Sequence, residues 1–286
     1  MKKFIAILAI LVALCLAAAG CAAPAAEEAA APAGEEPPVE EAAPAEEAAE
    51  QVELIVFAAA SLQETLTQIG ELYQAVAPNV TLIFSFDSSG TLKTQIQEGA
   101  VCDVFSSAGQ KQMDQLEEDG LVLAGSRFDL LENKVVLAVP QGNPANIRSY
   151  DDLRERLEAA EGVLLAMGSS DVPVGQYTQK IFACWGLDEA ALAASGCLTY
   201  GGNVKEVTTQ VSEGTVDCGV IYATDAFSAG LTVVDTATAE MCGRVIYPAA
   251  VLSASEAWEA AGDFLNHVIS DRGRAVLESV GFTPLG

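Results

Sequence analysis

One junction recurs in this chain and constrains its fold more than any other feature. A short apolar run ends in a turn of small or hydroxyl-bearing residues and passes at once into a helical pattern. Leu54-Ile55-Val56-Phe57 ends in Ala58-Ala59-Ala60-Ser61, after which Leu62, Leu66, Ile69, Leu72 and Tyr73 recur at helical spacing. Residues 80–86 alternate and end in Asp87-Ser88-Ser89-Gly90-Thr91, ahead of an amphipathic stretch through Leu92 and Ile96. Asp103-Val104-Phe105-Ser106-Ser107-Ala108 repeats the idea, with Met113 and Leu116 on the helix behind it. Strands and helices alternating at this spacing predict an α/β fold whose parallel sheet carries its site at the strand ends.

Val135-Val136-Leu137-Ala138-Val139, followed by Pro140-Gln141-Gly142-Asn143-Pro144, reads as a strand that leaves this first region. A second α/β set follows, with helices over 153–157, 175–185 and 204–213 and strands over 163–167 and 218–222. Arg244-Val245-Ile246-Tyr247-Pro248 leads back, and 255–268 and 272–280 read as two closing helices. A chain that leaves one lobe, builds another and returns predicts two lobes with a cleft between them. The boundaries expected are 52–134 with 247–286 for lobe 1, and 135–246 for lobe 2.

Ahead of the folding part, Lys2 and Lys3 precede an apolar run that ends in Leu16-Ala17-Ala18-Ala19-Gly20-Cys21. The run is short for a transmembrane helix and has the charge and small-residue flanks of a secretory signal. It resembles a bacterial lipoprotein signal over 1–20, although Ala18 stands where that family usually has a larger aliphatic residue. The resemblance implies cleavage before Cys21, lipidation of its thiol and an extracytoplasmic, membrane-anchored protein. Residues 22–51 are almost entirely Ala, Glu and Pro, with nine glutamates and no basic residue. Such a segment lacks the apolar side chains that offset ordering entropy and reads as a disordered, self-repelling tether.

The whole chain carries −26, and residues 52–286 alone hold 12 basic against 31 acidic residues, a balance of −19. That sign disfavours nucleic acid and anionic membrane surfaces as ligands. Cys102, Cys184, Cys197, Cys218 and Cys242 match no zinc spacing; one or two bridges, with Cys184 and Cys197 nearest in sequence, or free thiols both fit. His267, the chain's only histidine, lies in a helical stretch with core-facing neighbours and reads as a structural side chain rather than a general base. No Gly-x-Ser-x-Gly elbow or phosphate-loop lysine is present, so the chain reads as a binding protein and not an enzyme.

Ser61 and Ser89 each stand where a strand ends and a helix begins. Each offers a hydroxyl beside unpaired backbone N–H groups at the positive end of a helix dipole. Two such ends aimed at one point make an anion site, although Ser is also a favoured plain N-cap. With Val172-Pro173-Val174-Gly175-Gln176-Tyr177 and Gly219-Val220-Ile221-Tyr222-Ala223-Thr224-Asp225 added, the ordered set of turns closely resembles the molybdate-binding proteins of ATP-binding cassette importers.

The resemblance spans about 53–284 and implies a two-lobed type II periplasmic-binding-protein fold with a tetrahedral dianion in the cleft. Ser61 and Ser89 match the ligand serines, Val174 and Val204 the backbone donors, and Tyr222 the phenol that completes the shell. Val174 replaces a commoner alanine and Asn203 the usual Asp before Val204; Gly90 replaces a serine, which is expected to loosen its turn. The implied partners are molybdate or tungstate as transported ligand and a permease in the membrane, with a monomeric receptor and no cofactor. Molybdenum would enter only as the oxyanion, without direct protein ligands.

A pocket of N–H and O–H donors offers no acceptor for the proton of hydrogen phosphate and so favours fully deprotonated oxyanions. Sulfate or phosphate remain alternative solutes, whereas a carboxylate would call for an arginine that none of the five turns contains. Lys93 and Lys205 are expected at exposed helix positions, and Trp185, Trp258 and Tyr177 in core packing.

Overall fold

A computed structural model describes residues 50–285, which fall within one compact unit, Ala48–Gly286. The signal, Cys21 and nearly all of the tether lie outside the described residues. The first lobe opens with β1 (Val52–Ala59), a 3₁₀ turn (Ala60–Leu62) and α1 (Gln63–Gln74). It continues through β2 (Val80–Asp87), α2 (Ser89–Gln97), β3 (Val104–Ser106), α3 (Gln110–Glu118) and β4 (Phe128–Asn133). The second lobe contains β5 (Val135–Val139), α4 (Tyr150–Glu158), β6 (Leu165–Gly168), α5 (Pro173–Trp185), α6 (Glu189–Ala194) and β7 (Leu198–Gly201). After them come α7 (Val204–Ser212), β8 (Cys218–Tyr222), α8 (Ala223–Ser228), β9 (Thr232–Thr236) and α9 (Ala239–Cys242). The chain then returns through β10 (Val245–Val251), α10 (Trp258–Val268), α11 (Asp271–Ser279) and β11 (Thr283–Pro284).

Two sheets result, ordered β11-β4-β10-β3-β1-β2 and β7-β6-β8-β5-β9. In each, the parallel strands lie together (β2, β1 and β3; β7, β6 and β8), and the strands that carry the crossings pair antiparallel. Every residue of β5 is buried, which explains its unbroken apolar run: a strand covered on both faces has no polar side to present. Each fully buried Val or Leu there contributes about 1.5–3 kcal/mol relative to exposure.

Only Lys134 separates β4 of one sheet from β5 of the other. Asn133 Oδ1 accepts from its backbone N–H at 2.8 Å, and Lys134 O accepts from Ala223 N at 2.9 Å. The return strand already pairs Val245 with Asn133 and Ile246 with Glu132, so the division at 246/247 drawn from sequence falls inside β10.

Other sequence expectations shift at their edges. The helix expected over 255–268 starts at Trp258, whose side chain is exposed rather than in the core. Strands β4, β7 and β9 have no counterpart in the periodicity reading. All five cysteines of the folded part are free, with Cys184 exposed and the other four buried, so the bridge considered for Cys184 and Cys197 is absent. Burial pushes the Cys102 thiol up to about 12 and raises Cys218 and Cys242 as well. Since the thiolate is the reactive form, a charged maleimide at pH 8 is expected to modify Cys184 alone in the unit Ala48–Gly286. Mass spectrometry showing two or more adducts before denaturation would contradict this burial pattern.

Candidate functional site

Strand register assembles the lobe 1 half of the site. β1 pairs with β2 from Val52 opposite Val80 to Ala59 opposite Asp87, and with β3 through Ala58 opposite Ser106. The turns after all three strands therefore open at one sheet edge, where parallel α/β sheets place their ligands. Ser61 is buried in the 3₁₀ turn, and no side chain caps that turn. The cap of α2 is Ser88, whose Oγ accepts from Thr91 N at 3.1 Å. Ser89 is thereby freed from capping, the alternative role its place at a strand-to-helix junction allowed. It is fully buried at the first helical position, and its Oγ accepts from Ala108 N at 2.9 Å. That bond ties the second turn to the third and leaves the Ser89 O–H to donate.

Lobe 2 builds its half the same way. β6 and β7 run side by side to Gly168 opposite Gly201, bringing the starts of α5 and α7 together. Pro173 opens α5 where its missing N–H costs nothing, and Val174 follows at the second helical position, fully buried and with no side-chain cap on the helix. A Cβ at Gly175 would lie 2.2 Å from Ser169 O and 2.3 Å from Gly168 O, so only glycine lets the helix start sit on the strand end. Val204 opens α7, capped by Asn203, whose Oδ1 accepts from Glu206 N at 3.1 Å. Asn203 thus does the capping that an aspartate would do. Tyr222 ends β8 and is buried, its Oη 3.5 Å from Ala108 O of the opposite lobe.

Ser61, Ser89, Val174, Val204 and Tyr222 all line one cavity, closed by Ala108 and by the residues flanking each turn. The cavity is small, ≈ 10 Å³, which suits a compact solute and not an extended one. Ala60, Ser61, Ser89, Val174 and Val204 stand in the first turns of their helices, where backbone N–H groups lack intrahelical partners. Among the described residues, no lysine or arginine lines the cavity. Burial, then the neighbouring phenol of Tyr247, holds the Tyr222 phenol well above its ordinary pKa, so Tyr222 remains an O–H donor.

Charge placement around the cavity is selective. Among the described residues, the 3₁₀ turn, α2, α3 and α5 have no acid in their first turns, whereas α4, α6, α9, α10 and α11 each do. In a chain with 40 acidic residues, this keeps carboxylates away from helix ends that would otherwise attract them. The three exceptions are tied up. Glu64 of α1 meets Lys205 of α7 at 2.7 Å across the lobes, Asp225 in the first turn of α8 lies 3.1 Å from the same Lys205 Nζ, and Glu206 Oε2 of α7 accepts from Gly202 N at 2.6 Å.

Among the described residues, Asp87 is the one carboxylate-bearing residue on the cavity wall. Its Oδ1 accepts from Ser88 N at 2.7 Å and from Asn203 Nδ2 of the other lobe at 3.2 Å.

Several of these contacts join the lobes, and two overturn expectations. Gly90 is not a free turn residue: it is buried, and a Cβ there would lie 2.2 Å from Asp171 O of lobe 2. Lys205 is not a solvated helix residue, for it bridges Glu64 and the buried Asp225, whose Oδ1 lies 3.1 Å from Nζ. Lys93 donates to Gln115 Oε1 within its own lobe. His267 packs against the Tyr73 ring at 5.2 Å and is not a cavity residue. Trp185 packs between Tyr150 and Phe182, and Tyr177 lies edge-on to Tyr222 behind the wall.

Sequence reasoning missed Asn133, Tyr247 and Asp225 as residues behind the cavity wall. Tyr247 hydrogen-bonds Ser61 Oγ at 3.0 Å from a position 186 residues away, and no local pattern marks such a pairing. Asp225 had a signal, an acid in an apolar strand-to-helix junction.

Two α/β lobes joined by two crossings and closed on a small donor-lined cavity define a solute-binding protein. The chain belongs to the bacterial extracellular solute-binding protein family, whose model matches residues 54–283. It is 35% identical over 230 residues to the molybdate-binding protein ModA of Mycobacterium tuberculosis, covering 80% of this chain and 84% of the relative. It is 31% identical over 236 residues to a putative ABC transporter substrate-binding lipoprotein, YvgL, of Bacillus subtilis, covering 82% and 87%. Its fold matches the substrate-binding domain of a putative molybdenum ABC transporter from Clostridium difficile with a TM-score of 0.61 and 32% identity, covering 82% of this chain and all of that one. The architecture is the type II periplasmic-binding-protein fold.

Proposed function

We propose that this protein is an extracytoplasmic receptor that captures molybdate or tungstate between its lobes and delivers it to an ABC transporter permease. The observation that carries the proposal is the convergence of Ser61, Ser89, Val174, Val204 and Tyr222 on one small cavity without a basic side chain. Hydrogen bonds to a charged acceptor contribute about 1.5–3 kcal/mol each, so the hydroxyl and backbone donors of these five residues would hold a dianion tightly after ordering costs. The protein's overall negative charge does not oppose this, because exposed charges are screened beyond about 8 Å while the donors act at contact. Relatives named for molybdate binding support the choice of ion. Lipidation at Cys21 would keep a monomeric receptor near the permease, with the acidic tether as spacer.

Calorimetric titration with molybdate, tungstate, sulfate and phosphate tests the reading. Tight binding of the first two is expected, and Tyr222→Phe, Ser61→Ala or Ser89→Ala should each weaken it by about 1–3 kcal/mol. Unchanged affinity in all three variants would remove the site assignment. Asp87 favours one rival: a carboxylate on the wall could accept the proton of hydrogen phosphate. Preference for phosphate that disappears in Asp87→Asn would establish that rival.

A further inference from the structure

Behind the cavity wall, a buried chain of hydrogen bonds runs from the first crossing to Ser61. Asn133 Oδ1 accepts from Lys134 N at 2.8 Å, which fixes the amide so that its Nδ2 is the group facing inward. Nδ2 donates to Thr224 Oγ1 at 3.0 Å and to Tyr247 Oη at 3.2 Å. Tyr247 Oη, accepting from Asn133, keeps its own hydrogen to give, and Ser61 Oγ lies 3.0 Å away. Asn133, Tyr247 and Ser61 are all buried, so water does not compete for these bonds. A hydroxyl oxygen that accepts from Tyr247 turns its single O–H elsewhere, toward the cavity it lines.

We propose that Asn133 and Tyr247 are positioning residues that set the direction of this chain, Asn133 to Tyr247 to Ser61, and so force the Ser61 hydroxyl to act as a donor in the site. The proposal rests on the oxyanion reading above and deepens it into a specificity device. An unsupported serine hydroxyl can rotate to donate or to accept, and would tolerate a protonated oxyanion as readily as a deprotonated one. A serine already accepting from Tyr247 offers only a proton, so an anion with an O–H of its own meets an unmatched contact. Selection against hydrogen phosphate would then depend on a residue that never touches the ligand. The same chain begins beside Lys134, the single residue between the sheets, and Tyr247 lies in the returning strand β10. Donor polarity at Ser61 is therefore set by the two chain crossings themselves.

The experiment is calorimetry on the whole chain solubilised in detergent, with molybdate and inorganic phosphate as probes, for wild type, Tyr247→Phe and Asn133→Asp. N133D keeps the acceptor for Lys134 N but makes Tyr247 donate to the carboxylate, withdrawing its proton from Ser61. In both variants molybdate affinity should fall about tenfold while phosphate affinity holds or rises, narrowing the ratio at least tenfold. Equal weakening of both anions would mark a structural role only and overturn the inference. Combining Y247F with Ser61→Ala should add nothing further, because the relay acts through Ser61. Full additivity with S61A, and non-additivity with Tyr222→Phe instead, would show that the Tyr247 proton goes to Tyr222 and would overturn it as well. Wild-type protein that binds neither anion would remove the oxyanion reading and the relay together, whereas wild-type preference for molybdate with an unchanged ratio in the variants would remove the relay alone.

Discussion

Replacing Lys205 with methionine is expected to cost the fold about 3–5 kcal/mol at pH 7.5, and far less at pH 5. Lys205 Nζ stands 3.1 Å from Oδ1 of Asp225, whose side chain is fully buried and has Lys205 as its counter-charge. Burial raises the Asp225 pKa to about 6, with Lys205 opposing the rise. The unfolded carboxyl titrates near the ordinary aspartate value of 3.8. Between those values the folded state holds a proton that the unfolded chain has released. Asp225 therefore favours folding below about 3.8 and loses that contribution as the pH rises through about 6.

Above that point the carboxylate is charged and depends on Lys205. Without the amine the folded pKa climbs further, and stability keeps falling with pH where the wild type has levelled off. The exposed half of the network, Lys205 with Glu64, adds little because surface pairs contribute about 0–1 kcal/mol. Urea unfolding at the two pH values checks the prediction. Equal losses at both would show that Asp225 is not the cause, and Asp225→Asn combined with K205M should recover most of the stability.

Gly90→Ala is expected to weaken oxyanion binding by roughly 10- to 100-fold, corresponding to about 1–3 kcal/mol of overpacking, without destabilising the unliganded fold. The alanine Cβ would lie 2.2 Å from the Asp171 carbonyl oxygen, a backbone atom of the opposite lobe that cannot rotate away. The conflict exists only while the lobes are together, so opening relieves it and the penalty falls on the closed state that holds ligand. Within α2 itself alanine is the better helix former by about 0.5–1 kcal/mol. Unfolding should accordingly show a slightly more stable protein and calorimetry a weaker binder. Weakened binding accompanied by a destabilised fold would mean that the clash is felt inside lobe 1 instead.

The expectation that Gly90 loosens its turn overlooked the contact that makes this variant informative. Viewed along the chain, a glycine at the second helical position lacks a side chain to anchor the turn. Viewed in space, it is the place where another segment's carbonyl, 81 residues away, needs the room. Lys205 repeats the pattern: its neighbours in sequence, Val204 and Glu206, suggest an ordinary exposed helix position. Its partners are an acid from α1 and an acid from α8.

Elements were legible where the signal was local. The runs at 54–57, 80–86, 135–139 and 218–222 are strands because buried strands must be apolar throughout or on alternate positions, and the helices behind them show their 3.6-residue period. β4 escaped notice because Phe-Asp-Leu-Leu-Glu-Asn alternates poorly, and it is a strand through its pairing with β10 across more than a hundred residues. The split between Ser88 and Ser89 was invisible for a similar reason. Both serines suit a cap, and the choice is made by Ala108 N, which arrives from the third turn to engage Ser89.

By itself the sequence determined the alternation of strands and helices and the turns that carry hydroxyls and free amides, while its resemblance to a known family implied the five residues that line one cavity. Hydrophobic period, turn chemistry and helix capping are all written within a few residues of the site they govern. Tertiary structure alone decided which hydroxyls meet behind the cavity wall, which glycine backs onto the opposite lobe, and which lysine stands beside a buried carboxylate. Those outcomes depend on groups 19 to 186 residues apart, brought within hydrogen-bond or contact distance only when both sheets and both crossings have formed.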